Sequence, residues 1–224
     1  MKDIAIVTGG GTGLGYALTE EVLKLGLDVC IVGRRGQVLE AAKATLGDGV
    51  ICAVGDIADE AFVEGLYADL DEKGYRVRYL FNCAGTGRFG VPEQNTRAMI
   101  DEAFDGSLIG LILMSSKALP YMQAGGTIVN IMSTAAIRGK PKETIYCAAK
   151  WGARGFTEAL KEAVKGTPIQ VIGVYPGGMN TEFWEGTTTD CSKFMNPKDV
   201  AETIVHAVRF RPGMTVSDLT IDRK

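Results

Sequence analysis

The stretch that decides the fold is Ile4-Ala5-Ile6-Val7-Thr8-Gly9-Gly10-Gly11-Thr12-Gly13-Leu14-Gly15, an apolar run that passes directly into a glycine-rich turn. A short, continuous apolar run predicts a β-strand that is buried on both faces. The pattern over about residues 16–25 predicts a helix immediately after the turn. Because the turn is rich in glycine, its backbone N–H groups and the helix N-terminus can approach a pyrophosphate closely. The alternative is a glycine-rich turn that holds no ligand.

The second predicted strand, residues 28–32, ends at Gly33-Arg34-Arg35. In dinucleotide-binding folds, the residue about 20 positions past the glycines selects the cofactor, and an acid at that place favours NAD. Here the place holds a glycine, and the two arginines after it can pair with a 2′-phosphate. The sequence therefore predicts NADP rather than NAD. The alternative is that both arginines are solvated residues that cap a helix.

The rest of the chain keeps alternating between strand-like and helix-like patterns. We predict further strands at 50–54, 77–81, 127–133, 169–174 and 214–221, and helices at about 36–46, 59–73, 96–122 and 197–209. Another helix carries Tyr146 and Lys150 and runs to about residue 165. This alternation predicts an α/β fold with a doubly wound parallel sheet and helices on both faces. At 224 residues, the chain fits a single domain over 1–224.

Polar and small residues stand at the carboxyl ends of three predicted strands, where ligands collect in open α/β sheets. Asp56 follows the third strand and could accept a hydrogen bond from an adenine amino group, or cap the next helix. Asn82-Cys83-Ala84-Gly85 closes the fourth strand with small residues that permit close approach of a ligand. Ser133 stands at the end of the fifth strand.

Composition excludes several classes of function. The formal net charge of -3 gives no reason to expect a nucleic-acid partner. No apolar run is long enough to span a membrane, and the start of the chain lacks a signal-peptide layout. The five cysteines (30, 52, 83, 147 and 191) show no metal-ligand spacing, so we predict reduced thiols, no metal site and a cytoplasmic location.

Tyr146-Cys147-Ala148-Ala149-Lys150 is the candidate chemical centre. A tyrosine and a lysine four residues apart on a helix project from one face. Free tyrosine has a pKa of about 10, and a nearby ammonium group favours the phenolate. We therefore expect Lys150 to lower the pKa of Tyr146. On its own the spacing is weak evidence, because most such pairs lie on solvated helix faces.

Taken together, these residues resemble the short-chain dehydrogenase/reductase family over essentially the whole chain. Thr8-Gly9-x-x-x-Gly13-x-Gly15 is similar to the family's cofactor turn, and the separation of Ser133 from Tyr146 matches that of its catalytic serine and tyrosine. The resemblance implies a Rossmann-like sheet, usually in strand order 3-2-1-4-5-6-7, and a homodimer or homotetramer. It also implies an oxidoreductase that moves a hydride between NADP(H) and a carbonyl or alcohol substrate.

The resemblance gives the site residues their expected roles. Tyr146 is the general acid for reduction and the base for oxidation, Lys150 assists it and holds the ribose, and Ser133 binds the substrate oxygen. The expected cofactor-binding set comprises Thr8, Gly9, Gly11, Thr12, Gly13, Leu14, Gly15, Arg34, Arg35, Asp56, Ile57, Asn82, Ala84, Gly85, Tyr146, Lys150, Pro176, Gly177, Met179 and Thr181.

One position departs from the family pattern. Alignment on Gly110 and Pro120 puts Ser107 where the family commonly has an asparagine that organises a water on the lysine. Serine is shorter, although its hydroxyl can still donate and accept. A rival hypothesis is therefore a non-catalytic NADP-binding sensor with the same fold. A sugar-nucleotide epimerase usually needs an added substrate domain that this length does not allow.

Two segments are expected to border the mouth of the site. Residues 137–142 carry the cations Arg138, Lys140 and Lys142, and the loop 182–196 carries Phe183 and Trp184. One basic lip and one apolar lip would suit a mostly apolar carbonyl compound with an acidic group. The alternative, equally favoured, is that the three cations form a solvated surface run that faces away.

Overall fold

A computed structural model describes residues 1–87, 89–209 and 213–224, apart from the side chain of Gln123. Seven strands form one sheet: β1 (Lys2–Thr8), β2 (Asp28–Gly33), β3 (Val50–Val54), β4 (Tyr75–Asn82), β5 (Met122–Ile131), β6 (Gln170–Pro176) and β7 (Asp218–Ile221). Their order is β3-β2-β1-β4-β5-β6-β7, and neighbouring strands pair in parallel. This confirms the predicted doubly wound sheet and its strand order.

Seven α-helices connect these strands: α1 (Gly13–Leu23), α2 (Gly36–Leu46), α3 (Glu60–Glu72), α4 (Arg97–Phe104), α5 (Gly110–Ala118), α6 (Thr144–Ala163) and α7 (Pro197–Val208) among the described residues. The chain first builds β1 to β3 outward and then returns to place β4 on the other side of β1. The connection after β1 leads to β2 on one side, and the connection after β4 leads to β5 on the other. This opens a crevice beyond the carboxyl ends of β1 and β4.

Apolar residues cover both faces of the sheet, as the opening stretch predicts. Ala5 and Val7 of β1 lie in the cluster that also contains buried residues of α1 and α7. Ile4 and Ile6, which alternate with them, lie in the opposite cluster with residues of α3, α5 and α6. All four side chains are fully buried. The strand that precedes the glycine turn is therefore held from both sides, which fixes the position of the turn.

The helix predicted over 96–122 is interrupted. A π-helical turn, Asp105–Ile109, separates α4 from α5, and a 3-10 turn, Leu119–Tyr121, follows α5. The interruption lies where the chain passes close to other segments: a Cβ on Gly106 would lie 2.9 Å from Thr86 Oγ1, and one on Gly110 would lie 2.3 Å from Ile57 Cγ1. π turns inside helices occur frequently at functional sites.

Two strand boundaries also differ from the sequence prediction by more than two residues. The strand β5 begins at Met122, five residues ahead of the predicted start at residue 127, because Met122 pairs with Val77 before the register shifts. The last strand, β7, covers Asp218–Ile221, the second half of the predicted 214–221. In the described ranges, no helix combines the length and the apolarity that a membrane span requires.

Candidate active site

A cavity of about 700 Å³ opens at the carboxyl ends of the strands, beyond the neighbouring strands β1 and β4. Its lining includes most of the sequence-predicted site: Gly9, Gly11, Thr12, Gly13, Leu14, Gly15, Arg34, Arg35, Asp56, Ile57, Ala84, Gly85, Ser133, Tyr146, Lys150, Pro176, Gly177, Met179 and Thr181. The structure therefore brings residues from distant parts of the chain into one cavity. Ligand sites of small molecules commonly have this size.

The glycine turn forms a cradle in the cavity wall. Gly9 and Gly13 have positive φ angles of 67° and 53°, which residues with side chains rarely adopt. A Cβ on Gly15 would lie 2.1 Å from the carbonyl oxygen of Gly9, so no larger residue fits there. This geometry leaves backbone N–H groups at the start of α1 accessible, and it fits a pyrophosphate.

Arg34 and Arg35 lie at the far end of the cavity with Asp56 and Ile57. The Arg34 guanidinium is 3.7 Å from Asp56 Oδ2, and both side chains are substantially exposed. Asp56 Oδ1 accepts a hydrogen bond from Ala58 N, whereas Asp59 accepts from the first N–H groups of α3. Asp59, and not Asp56, is therefore the cap of that helix. The hypothesis that Asp56 caps the helix is therefore excluded.

Ser133, Tyr146 and Lys150 lie together at the end of β5 and on α6, and all three are buried. Ser133 Oγ accepts a hydrogen bond from Ala135 N. Lys150 Nζ donates to the carbonyl oxygen of Ile131 at 3.3 Å and lies 5.7 Å from the centre of the Tyr146 ring. The three polar groups thus face the same part of the cavity.

The pKa of Tyr146 differs from the sequence expectation. Burial raises the pKa of Tyr146 above its usual value, while a hydrogen bond with Ser133 acts in the opposite direction. Burial also lowers the pKa of Lys150 to about 8. The predicted lowering of the Tyr146 pKa by Lys150 is therefore not found. The reason is that removal from water disfavours the phenolate and the ammonium group alike.

Ser107 lies in the π turn, next to the cavity residue Gly106. Its hydroxyl is buried and makes no hydrogen bond within the described part of the chain. Ser107 Oγ and Lys150 Nζ each lie 3.4 Å from the place where a Cβ on Gly85 would stand. The absence of a side chain at Gly85 leaves room between them. An unpartnered buried hydroxyl in such a place fits a bound water or another polar group.

Two predicted cofactor contacts lie outside the cavity lining. The Thr8 hydroxyl is buried and accepts hydrogen bonds from Cys83 N and Ala84 N, both at 3.0 Å, so it ties β1 to the end of β4. Asn82 Nδ2 donates to Ser115 Oγ and to Asn130 Oδ1. The Thr8 and Asn82 side chains therefore hold the segments that line the cavity and do not line it themselves.

Residues of the two expected lips do line the cavity, but two of the three cations are paired with carboxylates. Arg138 Nη2 is 3.3 Å from Asp222 Oδ2, and Lys140 Nζ is 3.7 Å from Glu143 Oε2. Lys142 is exposed and has a positive φ of 61°. The charge of this segment is therefore largely offset by carboxylates, which weakens the expectation of a basic lip.

The apolar lip is an aromatic cluster that packs on Tyr146. Phe183 and Phe89 lie 5.6 and 6.0 Å from the Tyr146 ring, and Phe89 stacks on Trp184 at 5.2 Å. The indole N–H of Trp184 donates to the carbonyl oxygen of Met179. These contacts join the chain after β4 to the loop after β6.

Sequence reasoning missed three residues that line the cavity, Glu143, Asp222 and Arg223. It also missed Phe89, which packs against Tyr146. Phe89 and Glu143 lie in irregular segments, so no periodic pattern marks them. Glu143 is the residue immediately before α6, so its closeness in sequence to Tyr146 was a usable signal.

Comparison with known proteins places this geometry in context. The family model described as short chain dehydrogenase matches residues 3–192. Human 3-oxoacyl-[acyl-carrier-protein] reductase is 29% identical, over 99% of this chain and 97% of its own. Levodione reductase of Leifsonia aquatica is 31% identical, over 90% of this chain and 78% of its own.

Two solved structures carry nicotinamide cofactors. The closed form of serine dehydrogenase complexed with NADP+ is 26% identical with a TM-score of 0.87, covering 97% of this chain and 94% of its own. The 3-ketoacyl-(acyl-carrier-protein) reductase of Brucella melitensis complexed with NADH is also 26% identical, with a TM-score of 0.88 and coverages of 98% and 96%. The two cofactors differ, so the comparisons leave the choice between NADP and NAD to the residues of this chain.

Proposed function

The chain belongs to the short-chain dehydrogenase/reductase family of oxidoreductases, and on that premise we propose that it reduces a carbonyl compound with NADPH, or oxidises the corresponding alcohol with NADP. The observation that supports this best is the shared cavity of the glycine cradle, Ser133, Tyr146 and Lys150. The bound nicotinamide supplies or accepts the hydride. The protein supplies orientation, a proton and stabilisation of charge on the substrate oxygen.

Each side chain has a role that follows from its contacts. Ser133 and Tyr146 line the same cavity, so both hydroxyls can donate to one substrate oxygen. Tyr146 then transfers its proton to that oxygen in the reduction and takes it back in the oxidation. Its raised pKa keeps it protonated at neutral pH, which suits the role of an acid. Burial keeps bulk water away from the reacting atoms.

Lys150 and Ser107 provide a route for the replacement proton. The pKa of Lys150 is lowered to about 8, so near neutral pH its ammonium group can release a proton and take one back. The unpartnered hydroxyl of Ser107 lies across the space above Gly85 from Lys150. In this proposal the serine takes part in a shortened relay in place of the asparagine that the family commonly uses.

The cofactor is NADP(H) in this proposal because Arg34 and Arg35 line the cavity after Gly33, where an acid would favour NAD. Backbone groups of the glycine cradle would hold the pyrophosphate. Lys150 would hold the nicotinamide ribose, and the segment from Pro176 to Thr181 would hold the carboxamide.

The experiment is NADPH consumption with a panel of ketones and aldehydes, for the unaltered protein and for Tyr146→Phe. The variant keeps the ring that packs on Phe89 and Phe183, so it should bind NADPH normally. Its turnover should fall by about 100-fold or more, as expected on loss of a general acid. Turnover near that of the unaltered protein would place the acid elsewhere. Tight NADPH binding without consumption in the unaltered protein would favour the sensor hypothesis.

A further inference from the structure

Glu143 lies immediately before α6, one helical turn ahead of Tyr146, and lines the cavity. Only 15% of its side chain is exposed. Its carboxylate is near enough to Tyr146 to contribute to the raised pKa of the tyrosine. A carboxylate therefore stands at the reacting end of the cavity, beside the proposed proton donor.

The fold gives this carboxylate an ion-pair partner, Lys140, but its buried Oε2 atom receives no hydrogen bond from any residue that the structure describes. The Lys140 ammonium is 3.7 Å from Oε2, which is beyond hydrogen-bond distance. The side chain does not cap α6 either. Burying a carboxylate oxygen without a donor is unfavourable, and burial accordingly raises the pKa of Glu143.

Aromatic rings pack on one side of Tyr146: Phe183 lines the cavity beside it, and Phe89 packs on Tyr146 and stacks on Trp184, which also lines the cavity. In ligand sites of this kind, apolar walls take the body of the ligand and a few polar groups fix its orientation. The unpartnered oxygen of Glu143 can only accept a hydrogen bond while it is ionised. The matching ligand group is therefore a donor.

We propose, on the basis of the function proposed above, that Glu143 selects carbonyl substrates that carry a hydroxyl or ammonium group close to the reacting carbonyl. Glu143 is the residue immediately before α6, and it lines the same cavity as Tyr146 and Ser133. A donor within two or three bonds of the carbonyl carbon can therefore reach Glu143 while the carbonyl oxygen contacts Tyr146 and Ser133. The aromatic cluster takes the apolar remainder of the substrate.

The test uses three matched ketones: acetophenone, 2-hydroxy-1-phenylethanone and 2-amino-1-phenylethanone. The last two carry the donor group on the carbon next to the carbonyl. Each is reduced by one NADPH and one proton to the secondary alcohol. For the unaltered protein, kcat/KM should be about tenfold or more higher for the two donor-bearing ketones, as expected for a hydrogen bond to a charged acceptor. In Glu143→Met this preference should shrink to within about twofold.

Two further variants sharpen the result. Glu143→Gln keeps the shape and one acceptor oxygen but removes the charge, so it should lose more efficiency with the ammonium substrate than with the hydroxyl substrate. Glu162→Gln makes the same change at an exposed residue near the C-terminal end of α6. Among the described residues, Glu162 pairs only with Lys165. It should leave all three values unchanged.

Binding of the alcohol products provides a readout that does not depend on turnover. Calorimetry with the NADP-loaded protein should give tighter binding for 1-phenylethane-1,2-diol than for 1-phenylethanol, and Glu143→Met should remove the difference. Equal binding of the two alcohols, or an equal loss for all three ketones in Glu143→Met, would overturn the proposal. Failure to bind NADPH at all, with no consumption by any carbonyl compound, would instead overturn the proposed function.

Discussion

Gly33 stands at the end of β2, at the place where the choice of cofactor is made. A Cβ at this residue would meet only the Leu39 side chain, at an ordinary contact distance of 3.5 Å. Space therefore exists for an acid. The guanidinium of Arg34, the next residue, is 3.7 Å from Asp56 Oδ2 and its side chain is exposed. It can therefore change rotamer to contact a phosphate.

Gly33→Asp combined with Arg34→Ala should therefore reverse the cofactor preference. Loss of a charge-assisted hydrogen bond to phosphate weakens binding by about 1.5–3 kcal/mol, and the new carboxylate repels the 2′-phosphate while accepting from a ribose hydroxyl. Dissociation constants for NADPH and NADH, measured by calorimetry, test this. Lys165→Ala, which removes an exposed cation at the end of α6, serves as the control. Equal affinities for both cofactors in the unaltered protein would contradict the assignment.

Lys150 illustrates how a functional residue reduces stability. Its pKa in the folded state is about 8, below the unfolded value of 10.5, because burial disfavours the ammonium group. Between these two values the unfolded chain binds more protons, so stability rises with pH across that window. Below pH 8 the unfavourable contribution is fully present.

Lys150→Met should therefore make the protein more stable at pH 7, by roughly 3 kcal/mol if the whole shift is relieved. The gain should fall as the pH approaches 10.5, and carbonyl reduction should be lost. Denaturant unfolding of both proteins at pH 7 and pH 10 measures the gain in stability and its dependence on pH. A gain that does not depend on pH would mean that packing, and not charge, is responsible.

At the scale of elements, the sequence predicted what local patterns encode. Alternation of apolar strands and amphipathic helices gave the sheet and its layers, and the glycines gave the turn between β1 and α1. The π turn between α4 and α5 was not predictable, because it depends on the approach of Gly106 to Thr86 and of Gly110 to Ile57. Those partners lie far away in sequence.

The candidate site divides in the same way. Residues that follow a strand directly, such as Ser133 and Asp56, were found because strand ends share one edge of the sheet. Phe89, which packs on Tyr146, and Glu143, which lines the cavity, were missed because their positions depend on loop paths, including a hydrogen bond from Gly90 N to the carbonyl oxygen of Lys142. The pKa of Tyr146 was misjudged because burial, which dominates it, is a property of the packed structure.

The π turn also gives a test of Ser107. Its hydroxyl is buried without a partner in the described chain, and removing such a group relieves a desolvation penalty of about 1–3 kcal/mol. Ser107→Ala should therefore unfold at the same or a higher denaturant concentration, while carbonyl reduction slows. Ser115→Ala is the contrasting control, since that buried hydroxyl accepts from Asn82 and its loss should reduce stability. A Ser107→Ala variant with full activity would exclude the serine from the relay.

At the scale of the whole molecule, the end of the chain returns to the cavity. Asp222 pairs with Arg138, and the guanidinium of Arg223 lies 4.9 Å from the centre of the Phe194 ring. Residues just past β7 thus contact both lips of the site. The helices α1 and α7 also pack against each other, which joins the first and last parts of the chain across one face of the sheet.

This connectivity leads us to expect that the chain unfolds as one cooperative unit and that cofactor binding stabilises all of it. The cavity is lined by residues from the turn after β1, from β2, β5 and β6, and from the segment after β7, so a ligand that fills it binds only the folded state. At 100 times its dissociation constant, NADPH should add about 2.7 kcal/mol. For a chain of this size, that corresponds to a rise of roughly 5–11 °C in Tm. Calorimetric scans with and without NADPH measure the shift, and the Gly33→Asp/Arg34→Ala variant should show a much smaller one. Two separate transitions, only one of which moves with NADPH, would show that the chain does not fold as a single domain around this cavity.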